Sequence, residues 1–395
     1  MARLFVNSFS INSTTSAIDG ITYSGSPTID TTIYHGIAGS DNHSLKIASL
    51  VSGTAKYGLA VPGLDSAGPM YLGFMFYAVA WPSAANLISY TLDLATTGYV
   101  GLKIDNNGLL SLFRQTTQVG SSYQLELNRW YHLCYLIDKT PADGSEVLRG
   151  YVNGVEFAGA SNLTLELDGI TYFTMGGNLL AEAQTTGEWY FDDFAANDTT
   201  TSVNNGVLTE EYIASLYVNA SGDNNAWARG GADSGANWSQ VEENPPNEDT
   251  DYVSSNTLDQ TDDFNLDSPT FADASQINCL QLVIRKRGVG ASLNASAVSR
   301  IKAAASGTVT EGSAFTDANA TYDTIVAMIS TTKPGGSNPW SKKDLENTQI
   351  GYRLSATSTN ALRITHTRLD VAFTPPRATK TINIRPRAFA PGLAR

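Results

Sequence analysis

The chain is poor in the residues on which most site chemistry depends. Among 395 residues there are 2 cysteines, 4 histidines and 5 methionines. Two thiols, Cys134 and Cys279, exclude the disulfide framework of small secreted domains, and each reads as a buried free thiol. The histidines, His35, His43, His132 and His366, are too scattered for a recognisable metal-ligand spacing. Positive charge is also scarce: 25 Lys and Arg face 38 Asp and Glu, for a formal net charge of −13. That balance argues against nucleic-acid binding, which needs a basic surface to neutralise phosphates. No apolar run approaches the roughly 20 residues of a membrane helix. The first residues carry one Arg and no extended apolar stretch, so no secretory leader is expected and the chain should be made in a cytoplasm. Asn-x-Ser/Thr sequons, including those at Asn12, Asn162, Asn197 and Asn319, then read as polar loops. Gly-x-Ser-x-Gly, phosphate-cradling and dinucleotide-binding motifs are missing.

What is present is the signal of β-sheet. The length, 395 residues, exceeds that of a usual single domain, so two domains are expected, each able to bury a core. The clearest stretch is 128–157. In its first run Trp130, His132, Cys134 and Leu136 share one face, while Tyr131, Leu133, Tyr135 and Ile137 share the other. Both faces are largely apolar, which predicts a strand buried between two layers. Asn153-Gly154 then reads as a two-residue hairpin turn, because both positions need positive φ and these residues tolerate it best. Val152 and Val155 should open the pair.

Further strands are predicted over 2–9, 45–50, 70–81, 86–94, 99–104, 109–113, 163–167, 171–175 and 188–196, a spacing that marks a sandwich. Asp105-Asn106-Asn107-Gly108 is another hairpin turn. Calcium on Asp105 is conceivable, but a turn using Asp and Asn for positive φ accounts for these residues without a cofactor. Asp192 and Asp193, adjacent on a strand, should point to opposite faces, one capping a loop and one meeting solvent, so no catalytic dyad is expected. After a polar boundary at 199–206, Thr209 has the look of a helix N-cap. Glu210 and Glu211 fill the first turn, and Ile213, Leu216 and Tyr217 form the apolar set. Strands resume at 279–286, 297–305, 322–331, 349–356 and 362–373. Ser341 and Asp344 have capping-box spacing for a brief helix among them.

Charge is unevenly distributed. Between 230 and 284 stand Asp233, Glu242, Glu243, Glu248, Asp249, Asp251, Asp259, Asp262, Asp263, Asp267 and Asp273, with no Lys or Arg. The block reads as a solvated loop, or as a docking surface for a basic neighbour ahead of a divalent-ion site. After Pro375-Pro376 come Arg377, Lys380, Arg385, Arg387 and Arg395 with no acid. They read as a disordered tail or as an assembly arm added to a neighbouring subunit, its cations meeting an acidic block such as 233–273.

Arg129-Trp130-Tyr131-His132-Leu133, an acidic break, then Gly150-Tyr151-Val152-Asn153-Gly154-Val155 resembles the central hairpin of laminin G-like, concanavalin A-like jelly rolls. The closing run at 188–196 is similar to that family's last strand, which commonly carries an Asp-Asp pair after aromatic residues and returns beside the first strand. This resemblance covers roughly the first half of the chain and speaks more to fold than to activity. In the second half, the order 216–227, 237–253, then Asn338-Pro339-Trp340-Ser341 and Gly351-Tyr352-Arg353-Leu354 resembles a β-domain of virion structural proteins of tailed bacteriophages. There it frequently follows a laminin G-like domain.

The expectation is therefore an all-β chain of two jelly-roll-like β-sandwich domains: a first sandwich over 1–200, a linker with a short helix over 201–230, a second sandwich over 231–376 and an extended basic C-terminal arm over 377–395. The leading function is a non-enzymatic structural component of a phage virion, on the tail, a fibre or the head, in several copies. Its partners would be other virion proteins and copies of itself, with no nucleic acid and no membrane. The alternative is a carbohydrate-binding adhesin for host surface glycan, with Trp81, Trp227 or Trp340 stacking on sugar, although a core role is the simpler account of each. A hydrolase ranks third. Glucanases of this fold carry Glu-x-Asp followed by another Glu, and the local match, Glu166-Leu167-Asp168, lacks the second carboxylate. His132 reads as a packed residue and not as a base.

Overall fold

The structure, a computed structural model, describes residues 3–10, 21–24, 27–36, 42–48, 54–57, 68–92, 98–141, 143–167, 170, 172–176, 186–200, 203–232, 235–289, 295–316 and 320–376. The first half forms β1 (Arg3–Asn7), β2 (Ile21–Ser24), β3 (Thr28–Asp30), β4 (Ser44–Ala48), β5 (Thr54–Tyr57), β6 (Met70–Ala80), β7 (Asn86–Leu92), β8 (Tyr99–Ile104), β9 (Leu109–Arg114), β10 (Thr117–Gln124), β11 (Tyr131–Asp138), β12 (Glu146–Val152), β13 (Val155–Leu163), β14 (Tyr172–Met175) and β15 (Glu188–Asn197). They build two antiparallel sheets. One runs β13-β12-β11-β6-β15-β4-β3 with β1 also on β15, and the other runs β10-β9-β8-β7-β14-β5-β2. Period-2 alternation sends Tyr131, Leu133, Tyr135 and Ile137 into the space between the sheets, where they meet Phe74, Phe173, Trp189 and Phe191.

The hairpin at the centre forms as its residues dictate. Val152 lies opposite Val155, and the turn between them has φ of 50° at Asn153 and 77° at Gly154. The last strand, β15, does return beside β1. The expected strand over 163–167 does not form. Beyond Leu163 the chain leaves the ladder, Glu166 adopts a φ of 58°, and Leu165 and Leu167 drop into the core as loop residues. Polar β10 carried too little apolar alternation to be read from sequence.

The second half forms β16 (Tyr212–Asn225), β17 (Ala228–Gly231), β18 (Asp251–Ser255), β19 (Thr261–Leu266), β20 (Gln276–Gly288), β21 (Ser296–Lys302), β22 (Val309–Thr316), β23 (Asp323–Ser330), α1 (Lys342–Leu345), β24 (Gln349–Ala356) and β25 (Leu362–Thr374). Hydrogen bonds connect them in the order β17-β18-β25-β16-β19-β24-β21-β22, and β20 pairs with both β25 and β23. β16 makes the corner. Residues 212–217 pair with β25, the register then shifts, and residues 218–225 pair with β19.

That strand replaces the expected helix after Thr209. A helix here would have gained a cap and a short apolar stripe, which leaves a single short helix marginal. As a strand, 212–217 gains a residue-by-residue ladder with β25, and Ser215 Oγ donates to Asp370 Oδ1 at 2.7 Å. Tertiary pairing outweighs the local signal. At α1 the local signal prevails. The Asp344 amide donates to Ser341 Oγ, and the Ser341 amide donates back to Asp344 Oδ2 at 2.9 Å, the reciprocal capping box.

The two sandwiches meet through an apolar joint. Val6, Cys134, Leu136, Tyr151 and Ala195, on the outer face of the first sheet, pack against Leu208, Ile213, Cys279 and Ala372. This covers the second apolar face of β11. Both cysteines are free and buried there, and burial pushes each thiol up to about 12. No helix among the described residues is long and apolar enough to cross a membrane.

Candidate functional site

A row of aromatic side chains crosses the outer face of the first sheet beside this joint. Lys46 on β4 lies opposite Tyr190 on β15, and Tyr190 lies opposite Tyr77 on β6. Residues opposite one another share a face, so their side chains line up across the strands. Trp130, just before β11, extends the row. Ring centres are 5.9 Å apart for Tyr190 and Tyr77 and 5.2 Å for Tyr77 and Trp130. Lys46 Nζ sits 5.2 Å from the Tyr190 ring centre and 2.8 Å from Glu188 Oε1. Trp130 then meets the His35 ring edge-on at 5.5 Å, and His35 stacks on Tyr212 of β16 at 4.4 Å. Tyr77, Trp130 and Tyr212 are half-buried, while Tyr190 is buried.

His35 is tied into this row by three carboxylates. Its amide donates to Asp192 Oδ2 at 2.8 Å, its Nδ1 donates to Asp193 Oδ2 at 2.6 Å, and its Nε2 donates to Glu210 Oε1 at 3.2 Å. Burial alone would lower the pKa of this ring. The hydrogen bonds and charges of Asp193 and Glu210 outweigh it and raise the value to about 9, so His35 is an imidazolium at neutral pH. Glu210 is in turn held below its ordinary pKa by the same ring.

The expected divergence of Asp192 and Asp193 is therefore corrected. Register shifts between Asp192 and Ala195, and Asp193 takes a φ of 44°. This bulge turns both carboxylates toward residue 35 and leaves them 1% and 2% exposed, so neither meets solvent. Asp193 Oδ1 also accepts from the Ile213 amide at 2.9 Å, which ties the knot to β16.

The aromatic candidates read from sequence lie elsewhere. Trp227 is 3% exposed, with Nε1 donating to the Gln260 carbonyl at 3.0 Å and its ring 4.6 Å from Tyr352. Trp340 is 4% exposed, with Nε1 donating to Ser330 Oγ at 3.2 Å. Both rings belong to the second core and offer no face to a sugar. Trp81 is half-buried against the β8–β9 turn, where a Cβ at Gly108 would come within 2.6 Å of its ring. Glu166 pairs with Gln115, and Asp168 lies outside the described residues, as do Arg377, Lys380, Arg385, Arg387 and Arg395. Asp105 Oδ1 accepts from the Asn107 and Leu109 amides, both at 2.8 Å, as a turn residue does. No group of three or more His, Cys, Asp or Glu among the described residues is placed to hold a metal. His132 is buried beneath the joint, and that burial lowers its pKa to about 4.

Five carboxylates of the acidic block pair with cations of their own sandwich. Glu248 pairs with Arg285, Asp249 with Arg287 at 2.5 Å, Asp259 with Arg353 at 2.7 Å, Asp263 with Lys302 at 2.9 Å, and Asp273 with Lys342 at 2.8 Å. Asp262 accepts from the Ala226 and Trp227 amides, and burial raises its pKa to about 6. The cations come from 285–353, outside the window in which the sequence shows only acids.

Sequence reasoning missed His35, Tyr77 and Glu210 as members of a site. The one local signal was the Asp192-Asp193 pair, which reads as ordinary strand unless the bulge is known.

No family model matches the chain, and no curated protein matches it. Among solved structures, it is similar to the Trypanosoma rangeli sialidase, with a TM-score of 0.33 and 17% identity over 46% of this chain and 27% of that one. It is similar to an endo-β-1,4-glucuronan lyase from Trichoderma reesei, with a TM-score of 0.36 and 12% identity over 50% and 96% of the two chains. It is also similar to domain 4 of an extracellular arabinanase from Geobacillus stearothermophilus, with a TM-score of 0.35 and 13% identity over 50% and 92%. These names are those of enzymes or parts of them, against the expectation that the chain is not an enzyme. Likenesses this distant assign no activity of their own.

Proposed function

We propose that this chain is a carbohydrate-binding β-sandwich protein whose glycan lies along Tyr77 and Trp130. The observation that carries this reading is the row itself: two half-buried rings, Tyr77 and Trp130, 5.2 Å apart on one outer face, with buried Tyr190 5.9 Å beyond Tyr77. Aromatic rings with one side packed and one side wet suit the apolar C–H faces of sugar rings, and the rigid sheet fixes them before the ligand arrives. On a glycan array the chain is expected to bind a reproducible set of oligosaccharides. Trp130→Ala and Tyr77→Ala should each weaken that binding about tenfold or more, since one stacking contact corresponds to roughly 1.4 kcal/mol. Trp81→Ala, which removes a ring packed on a turn, serves as the control and should leave binding intact. A silent array, or equal binding by the Trp130 variant, sinks the proposal.

A second reading places the chain in the virion of a tailed phage, on the tail, a fibre or the head, among other virion proteins and its own copies. It is supported by the sequence pairing of a laminin G-like half with a phage-like half, which pack on each other through a shared apolar cluster. A virion protein that grips host glycan satisfies both readings. Its test is peptide mass spectrometry of purified particles, in which absence of the chain removes it. Deleting 377–395, with Arg377, Lys380, Arg385, Arg387 and Arg395, should abolish incorporation if that segment is an assembly arm.

A further inference from the structure

We infer that Glu210 is the polar reader of the aromatic site and that it selects neutral, hydroxyl-rich sugars over acidic ones. The inference rests on the carbohydrate reading and adds a ligand class to it. Aromatic stacking alone tolerates almost any pyranose, because every sugar ring has an apolar face; selection has to come from polar groups fixed at the rim. Glu210 is the carboxylate in that position. Its Oε1 accepts from His35 Nε2 and from the Tyr212 hydroxyl, each at 3.2 Å. His35 in turn stands between Trp130 at 5.5 Å and Tyr212 at 4.4 Å. The side chain is nevertheless 54% exposed, and both of these hydrogen bonds are accepted by Oε1.

The carboxylate is thus held on one side by a buried cation that Asp192 and Asp193 fix in place, while more than half of its side chain stays accessible to a ligand. An ionised carboxylate accepts hydrogen bonds and donates none, so it matches the O–H groups of a neutral sugar. It repels a uronate or sialate carboxylate brought to the same place, which costs binding in a partly desolvated site. Glu210 also lies outside the first sandwich, in the segment leading into β16 of the second sheet. The site is therefore complete only with the two sandwiches docked.

The experiment compares the full chain with Glu210→Ala, Glu210→Gln and Trp130→Ala on an array carrying neutral hexose oligosaccharides beside sialylated and uronate-bearing ones. Expected are binding confined to the neutral set, a loss of about tenfold or more in Glu210→Ala, and gain of acidic ligands in Glu210→Gln, which keeps an acceptor and loses the charge. Circular dichroism and melting of each variant separate a lost contact from a lost fold. Binding that needs Trp130 but is unchanged in Glu210→Ala overturns this inference and leaves the carbohydrate reading standing. A preference for acidic sugars in the unmodified chain does the same. Silence on the whole array overturns both.

Discussion

His35, in the loop after β3, and His132, on β11, titrate in opposite directions. His35 has its folded pKa raised to about 9, so its contribution is fully present below pH 6.5 and is lost as pH rises through 9. His132 has its folded pKa lowered to about 4 by burial, so the unfolded chain takes up the proton first and stability falls as pH drops from 6.5 toward 4. Each shift corresponds to about 3 kcal/mol across its window at 1.36 kcal/mol per pKa unit. Thermal melting against pH should show the unmodified chain losing stability on both flanks. His35→Gln should flatten the alkaline flank and His132→Gln the acid one, and flanks that do not change would remove these groups from the account. His132 was legible as a packed residue, because it alternates with core positions on an apolar strand. The knot around His35 was not. It depends on one left-handed residue, Asp193, and on a contact between positions 35 and 193 that no local pattern reveals.

At the scale of elements, the readable features were those that satisfy their own backbone locally. The Asn153-Gly154 turn and the Ser341 cap both form from residues a few positions apart. Ser341→Ala should lower stability by about 1 kcal/mol, the usual cost of an N-cap. Asp344→Ala should cost more, since Asp344 also accepts from Lys333 Nζ at 3.1 Å. Gly154→Ala should cost about 1 kcal/mol by backbone conformation alone, because its φ is 77° while the nearest atom to an added Cβ, on Thr209, is 3.7 Å away. Denaturant titration measures all three, and a neutral Gly154→Ala would show that the turn relaxes. β16 was misread for the complementary reason. Its short helical signal is local, whereas its partners on β25 lie some 150 residues away in sequence, as the Ser215–Asp370 bond illustrates. Five acids of the block likewise find their cations on later elements, from β20 to β24.

At the scale of the molecule, the all-β class and the strand-rich halves could be read from sequence, whereas the joint between them could not. Its polar contacts are specific. Arg3 Nη1 and Nη2 donate to the two oxygens of Glu211 at 2.6 and 3.2 Å, and both residues are buried. Gln281 behaves as a strand partner for Val6: its Oε1 accepts from the Val6 amide at 2.9 Å and its Nε2 donates to the Val6 carbonyl at 2.8 Å. Around them lies the apolar patch that holds both cysteines. Neither sandwich can leave the other without breaking the Arg3–Glu211 pair and wetting that patch, so the two should unfold together. Calorimetry of the unmodified chain is expected to give a single transition. Arg3→Met leaves Glu211 buried without its cation, which typically costs 3–5 kcal/mol. That penalty falls on the docked state alone, because Glu211 regains water when the sandwiches separate. The variant should therefore melt in two steps, the first being loss of the joint, while Gln281→Leu, which removes the hydrogen bonds to Val6 and a long one to Asp370 but leaves the Arg3–Glu211 pair in place, should shift the single transition without splitting it. Two transitions in the unmodified chain would show that the joint does not couple the halves, and Glu210 would then complete the aromatic site only part of the time.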